Sequence, residues 1–99
     1  MSGPNVAVVG AGSWGTALAV HLAGRGPVRL WCRPDDDPEE IARRRENRTY
    51  LPAIMIPGRV EISDDLGRVL DGAEAAVLAI PTQHLRGFLA AHRNAVWPE

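Results

Sequence analysis

The sequence predicts an α/β fold built on a doubly wound parallel sheet. Short apolar runs recur along the chain, and each is suited to a strand that is buried on both faces. Segments with apolar residues at helical spacing separate these runs. Because strands that alternate with helices pair in parallel, the pattern indicates one sheet with helices on its faces. The predicted strand order is 3-2-1-4, an incomplete sheet of about four strands.

Strands are predicted at residues 6–9, 28–32, 59–63 and 75–80. A helix joins the first two and completes a βαβ unit of about 30 residues; its apolar positions are Trp14, Ala17, Leu18 and Leu22. The run at 75–80 is the most apolar and is interpreted as a central strand. With no fifth strand to pair with in these residues, it is also expected to be an exposed apolar edge.

The remaining helices are predicted from their capping residues. Asp37 is expected to cap a helix that runs to about Glu46, with Pro38 in its first turn. Ser63 is expected to cap a helix over 64–70, and Thr82 the last helix, in which Leu85, Phe88 and Leu89 share one face. The segment 47–58 contains two prolines that block regular pairing and is therefore predicted to be a loop.

The most informative motif is Gly10-x-Gly12-x-x-Gly15, which follows the first strand and opens the first helix. In a dinucleotide site the first glycine permits a tight turn, the second lets backbone approach a pyrophosphate, and the third allows close packing of helix on strand. The phosphates lie on free N–H groups at the helix start. The motif favours a Rossmann-like sheet whose crevice is flanked by this turn and by the loop with Pro81 and His84; an empty structural turn is the alternative.

Composition narrows the function classes. Eleven basic against twelve acidic residues give a net charge of −1, so neither nucleic acid nor a membrane surface is an expected partner. The chain contains no lysine, which excludes a lysine acid, base or Schiff-base former within these residues. The single cysteine, Cys32, is expected to be a buried thiol at a strand end, and it has no partner at zinc-binding spacing. No run approaches the ~18 apolar residues that span a bilayer, and the protein is expected to be cytoplasmic.

Three segments carry a family resemblance: Gly-Ala-Gly-Ser-Trp-Gly-Thr-Ala-Leu-Ala at 10–19, Glu-Asn-Arg-Thr-Tyr-Leu-Pro at 46–52, and Ala-Ile-Pro-Thr-Gln-His-Leu-Arg at 79–86. Together they closely resemble the N-terminal part of bacterial NAD(P)-dependent glycerol-3-phosphate dehydrogenase. The resemblance implies that residues 1–99 form an NAD(P)-binding domain, truncated before a C-terminal substrate domain. It also implies hydride transfer between dihydroxyacetone phosphate and sn-glycerol 3-phosphate in phospholipid synthesis.

The resemblance implies contacts to the cofactor, NADP or NAD. Ser13 and Trp14 are implied at the phosphate turn, Arg33 at the adenosine ribose, and Tyr50 as a weaker wall contact, with His84 near the nicotinamide half. The full set of predicted cofactor-binding residues is Gly10, Gly12, Ser13, Trp14, Gly15, Arg33, Tyr50, Pro81 and His84. The lysines of the family fall outside these residues, so no catalytic residue and no metal ligand is assigned, and the chain alone is expected to be inactive. A small phosphorylated substrate is expected for the full-length enzyme, and a homodimer is left open.

Several residues keep two interpretations. Arg33 lies about 20 residues after the glycines, where a carboxylate would hold the NAD ribose; arginine there favours NADPH or dual use. It is otherwise an exposed arginine, and the aspartates at 35–37 would weaken its potential if they fold toward the site. The ring of Trp14 is expected mainly in the core, although it could line the pyrophosphate site. His84 either contacts the ligand or caps the loop.

Two further expectations concern charged residues. His21 is expected to be an interior histidine on the same helical stripe as Trp14, and Arg43, Arg44 and Arg45 are expected to form a solvated face.

Two other functions remain open beside the dehydrogenase. One is a free-standing module that binds or senses NAD(P) without catalysis, and the other is a related dehydrogenase for a substrate without phosphate.

Overall fold

The computed structural model describes residues 5–98, so residues 1–4 and 99 of the predicted domain lie outside the described part. Four strands form one parallel sheet in the order β3-β2-β1-β4: β1 (Val6–Val9), β2 (Val28–Trp31), β3 (Val60–Ser63) and β4 (Ala75–Leu78). The predicted fold class and the strand order 3-2-1-4 are confirmed. β2, β3 and β4 are each shorter than predicted by one or two residues at an end.

The helices cover the sheet in the expected alternation. They are α1 (Ser13–Leu22), a 3-10 turn at Pro34–Asp36, α2 (Pro38–Arg44), α3 (Leu66–Leu70) and α4 (Thr82–Ala91). His92 is the residue that ends α4. None of the helices within residues 5–98 is long and apolar enough to cross a membrane.

The predicted cap of α2 is confirmed, but its predicted end is wrong. The Asp37 carboxylate accepts a hydrogen bond from Glu40 N at 3.3 Å. The helix ends at Arg44 rather than Glu46, because Arg45 adopts a left-handed conformation with φ 54°. The Arg45 side chain then leaves the solvated face that was predicted for it: its guanidinium donates to the carbonyls of Ile56, Pro57 and Val60. Arg43 and Arg44 do form that face, where both pair with Glu40.

The predicted caps of the last two helices are also wrong. α3 begins two residues later than expected, and its cap is Asp65, whose carboxylate accepts from Arg68 N at 3.2 Å. Ser63 accepts from Asp65 N at 3.0 Å and so supports the turn that precedes the helix. In α4 the cap is Pro81, and Thr82 is the first helical residue.

Buried side chains form one cluster on each face of the sheet, because successive residues of a strand point to opposite faces. Val8 and Leu30 face the cluster beneath α1 and α2, whereas Val9 and Trp31 face the cluster that includes α3 and Phe88 of α4. Cys32 is fully buried in the first cluster, as predicted. Burial raises the pKa of its thiol to about 12, with smaller contributions from nearby aspartates.

The buried face of α1 differs from the prediction in part, because Leu18 and Leu22 pack against the first cluster as expected but Trp14 does not. Its small residues Gly15, Thr16 and Ala19 face the sheet, while Trp14 is 62% exposed and His21 is also exposed. The helix lies so close to the end of β1 that only small residues fit between them. The expectations of a core ring for Trp14 and an interior His21 are therefore wrong.

β4 is an edge strand in the described part of the chain and not a central one. It pairs with β1 alone, and Ala75 and Leu78 are exposed. The exposed apolar edge that the sequence predicted is confirmed.

Candidate functional site

One cleft of about 570 Å³ opens where β1 and β4 end. The structure brings all nine predicted cofactor-binding residues to its walls: Gly10, Gly12, Ser13, Trp14, Gly15, Arg33, Tyr50, Pro81 and His84. The glycine turn and the loop after β4 flank one crevice, as the strand order required. Residues that were not predicted complete the lining, namely Ala11, Trp31, Asp36, Leu78, Ala79, Ile80 and Phe88.

The three glycines of the turn do different physical work. Gly10 has φ +119°, and a Cβ there would lie 2.4 Å from the Ala79 carbonyl oxygen. A Cβ on Gly15 would lie 1.8 Å from the carbonyl oxygen of Gly10. Gly12 has no atom within 4 Å of the position where its Cβ would be. Two glycines therefore allow close packing, and the third keeps the backbone open to the cleft.

The start of α1 presents unpaired amides at this turn. Gly12 is the cap, and the first intrahelical hydrogen bond runs from Thr16 N to Gly12 O at 3.0 Å. The N–H groups of Ser13, Trp14 and Gly15 precede that bond and have no acceptor within the helix. The first turn contains no acidic residue, so the positive end of the helix dipole is uncompensated there. An arrangement of this kind is suited to an anion such as a pyrophosphate.

Arg33 and Asp36 form the polar end of the cleft. The side chain of Arg33 is 61% exposed, and its Nη2 lies 3.3 Å from Oδ1 of Asp36. Asp36 also accepts from the backbone N of Arg33 at 3.3 Å, which holds the carboxylate in place. The hydrogen bond from Arg33 to Asp36 raises the pKa of the arginine, which stays charged. Of the three aspartates considered from the sequence, Asp36 is the one that lines the cleft.

Aromatic and apolar side chains complete the cleft beyond the glycine turn. Trp31 donates from Nε1 to the carbonyl oxygen of Asp64 at 2.9 Å, and its ring centroid lies 5.2 Å from that of Phe88. His84 lies in the first turn of α4, where its backbone N donates to Pro81 O at 2.8 Å, and its side chain is exposed. Trp14 lines the cleft from the first turn of α1.

Asn47 supports the glycine turn from behind the cleft, a role that sequence reasoning missed. Its side chain is 2% exposed and lies behind the glycine turn, where it donates to Ala11 O at 2.8 Å. The signal available was its place in the segment at 46–52, which resembles the family motif. Nothing local marks a loop asparagine as buried, because its partner is 36 positions away in the chain.

A parallel sheet in this order, with a glycine turn and an open helix start at the carboxyl ends of its strands, defines a dinucleotide-binding domain of the Rossmann type. Comparison with known proteins gives a narrower assignment. The family model described as NAD-dependent glycerol-3-phosphate dehydrogenase N-terminus matches residues 5–99. The chain belongs to this family.

The individual relatives agree with this assignment. A glycerol-3-phosphate dehydrogenase (NAD(P)+) of Thermus thermophilus is 48% identical over 93 residues, which is 93% of this chain and 29% of the relative. One from Ruegeria is 44% identical over 92 residues, with 93% and 28% covered. The chain thus spans less than a third of the length of the curated relatives it matches.

Solved structures show the same likeness. The crystal structure of glycerol-3-phosphate dehydrogenase from Coxiella burnetii superposes with a TM-score of 0.85 at 31% identity, covering 95% of this chain and 29% of that one. The yeast enzyme superposes at 0.81 with 26% identity, covering 95% and 31%. All of these relatives are named as glycerol-3-phosphate dehydrogenases, and none is named as a module that only senses NAD(P).

Proposed function

We propose that residues 1–99 form the cofactor-binding part of a glycerol-3-phosphate dehydrogenase, an oxidoreductase that interconverts dihydroxyacetone phosphate and sn-glycerol 3-phosphate. The observation that carries the proposal is the open amide turn at Gly12, in a chain that belongs to this family. Binding of the small phosphorylated substrate and proton transfer are assigned to parts of the enzyme outside these residues, because the chain has no lysine. We place the enzyme in the cytoplasm, in phospholipid synthesis, and retain a homodimer as its assembly.

The cleft fits a nicotinamide dinucleotide, NAD or NADP, which when bound supplies or accepts the hydride. The three N–H groups at the start of α1 provide donors for a pyrophosphate, and Gly12 lets it approach because no side chain stands there. Arg33 provides a cation on the same cleft for the adenosine end. Trp14, Tyr50, Pro81 and His84 provide walls against which the rings of the cofactor can be held.

Arg33 favours NADPH, or the use of both cofactors. Its guanidinium has the fork of donors that matches a 2′-phosphate, whereas NADH has only a hydroxyl there. The Asp36 carboxylate already accepts hydrogen bonds from two of those donors, from Nε at 3.5 Å and from Nη2 at 3.3 Å. A 2′-phosphate has to share the guanidinium with this carboxylate or displace it, so the preference for NADPH is moderated by Asp36.

Titration calorimetry of the chain with NADPH and with NADH tests the proposal. We expect NADPH to bind more tightly, and Arg33→Asp to reverse the order because a second carboxylate repels the phosphate. Arg43→Asp is the matched control, since Arg43 is an exposed arginine away from the cleft that pairs with Glu40. If both cofactors bind equally and Arg33→Asp changes neither affinity, Arg33 is not the selector. If the folded chain binds neither cofactor, the proposed function is wrong.

Activity gives a separate test of how the work is divided. With dihydroxyacetone phosphate and NADPH, the purified chain is expected to show no loss of NADPH absorbance. Measurable turnover by the chain alone would contradict the assignment of substrate binding and proton transfer to residues outside it.

A further inference from the structure

We propose that Asn47 is a positioning residue that fixes the direction of the Gly12 N–H group at the cofactor turn. The part of this inference that concerns the cofactor rests on the proposed function. Asn47 and Thr16 are the buried polar residues of the described chain, 2% and 0% exposed, and they bond to each other: Asn47 Nδ2 lies 3.0 Å from Thr16 Oγ1. Burying polar side chains is costly unless they are hydrogen-bonded, and both members of this pair are bonded.

One side-chain amide joins three separate parts of the chain. Nδ2 of Asn47 donates to Ala11 O, in the middle of the glycine turn, and to Thr16 Oγ1 in the first turns of α1. Its Oδ1 accepts from Tyr50 N at 3.3 Å. The orientation of the amide is fixed, because the Ala11 carbonyl demands a donor on one side and the Tyr50 N–H demands an acceptor on the other.

The stereochemistry of the peptide bond carries this anchoring to the cleft. The carbonyl of Ala11 and the N–H of Gly12 belong to one planar trans peptide, and they point in opposite directions. Because the carbonyl is held toward the buried Asn47, the Gly12 N–H is turned away from it, at the residue whose Cβ position opens on empty space. Asn47 thus sets the direction of an amide at the phosphate turn without itself lining the cleft.

The loop that carries Asn47 is itself braced. Leu51 N donates to Asn47 O at 2.8 Å and closes the short turn, while the Arg45 guanidinium ties the base of the loop to Val60. A second link joins the loop to α1: the Ser13 hydroxyl donates to Tyr50 O at 2.8 Å. The hydroxyl of Ser13 is therefore engaged by the loop, and what Ser13 offers the cofactor is its backbone N–H.

Asn47→Asp is the most informative substitution. It keeps the shape of the side chain and replaces the donor that faces Ala11 O with an oxygen, which repels the carbonyl. The matched control is Val69→Ala. Val69 is fully buried but lies in α3 within the other cluster, so this variant loses stability without touching the turn.

Two measurements on the 99-residue chain, made where each variant is folded, separate positioning from stability. The first is the NMR amide resonance of Gly12 without cofactor, and the second is the dissociation constant for NADPH. We expect Asn47→Asp to shift the Gly12 resonance and to raise the dissociation constant for NADPH at least about tenfold. Val69→Ala should change neither. An unchanged Gly12 resonance and an affinity within about twofold of the wild type would overturn the proposal.

Further outcomes distinguish the two proposals. If the Gly12 resonance shifts in Asn47→Asp but the wild-type chain binds no NADPH, positioning stands and the proposed function fails. If Asn47→Asp does not fold, Thr16→Val removes one partner of the amide, and Thr16→Ser keeps the hydroxyl. Weakened binding with valine and restored binding with serine supports positioning, whereas wild-type behaviour of Thr16→Val overturns it.

Discussion

Gly12 and Gly15 are three residues apart, yet alanine is expected to damage different properties at the two positions. Gly12 has φ −75° and ψ −169°, an extended conformation that any residue adopts, and its Cβ position is free of neighbours. Alanine restricts the unfolded chain but caps a helix less well than glycine, so the free energy of unfolding of Gly12→Ala is expected to stay within about 1 kcal/mol of the wild type.

Binding should suffer in Gly12→Ala instead. The added methyl carbon keeps a phosphate oxygen about 3.5 Å away from it. A hydrogen bond needs that oxygen about 2.9 Å from an amide nitrogen, so the phosphate can no longer come close enough to the neighbouring amides. If two charge-assisted hydrogen bonds of about 1.5 kcal/mol each are lost, the dissociation constant for NADPH rises by about 100-fold.

Gly15→Ala should lower the stability of the fold first, rather than the affinity for the cofactor. Its Cβ would lie 1.8 Å from Gly10 O, where real Cβ contacts stay beyond 3.0 Å, and 3.1 Å from the Cβ of Ala79. The start of α1 has to move by roughly 1 Å, and overpacking of this kind costs about 3 kcal/mol or more, a large share of the stability of a small domain.

Urea unfolding and titration calorimetry on both variants measure the two effects. The reasoning about the phosphate turn is refuted if Gly12→Ala binds NADPH as tightly as the wild type. The reasoning about close packing is refuted if Gly15→Ala unfolds at the wild-type urea concentration.

Two further predictions concern stability. Arg45→Ala should lower the free energy of unfolding by about 2 kcal/mol, since the carbonyls of Ile56, Pro57 and Val60 lose their donor. Arg43→Ala, which breaks an exposed pair, should lower it much less in the same urea titration. Cys32 ionises near pH 9 when unfolded but only near 12 when folded, so the folded state binds more protons between these values and stability falls as pH rises through them. Cys32→Ala should remove that part of the decline, and parallel pH curves for the two proteins would contradict the burial of the thiol.

The sequence predicts most of the fold, because the signals that specify it are local. Four residues of apolar run before Gly10 specify β1, and the spacing of the glycines specifies the turn and the start of α1. The buried face of α1 is different. Apolar periodicity selected Trp14, whereas the helix buries Gly15 and Ala19, since close approach to the sheet excludes larger side chains there. At the start of α1, where the helix is closest to the sheet, size rather than hydrophobicity decides which residues are inside; further along, Leu18 and Leu22 pack against the core.

The candidate site divides in the same way. The order of the strands brings Gly12 and His84 to one cleft, and this follows from topology alone. The partner of Asn47 does not follow from topology, because a hydrogen bond between positions 47 and 11 depends on how an irregular loop folds back on the sheet. Capping residues are an intermediate case. The sequence predicts the cap at Asp37 correctly, but it predicts Ser63 where Asp65 caps, since two candidates only two positions apart satisfy the same local preference.

The close approach of Ala79 to the turn has a consequence for how such domains can diverge. Ala79 presents its carbonyl where Gly10 has no Cβ, and its methyl group faces the place where Gly15 has none. Ala79 therefore packs as part of the glycine motif, although it lies more than sixty positions further along the chain. A lineage that adds a side chain at position 10 or 15 also has to move the chain that follows β4, because the new Cβ would meet Ala79.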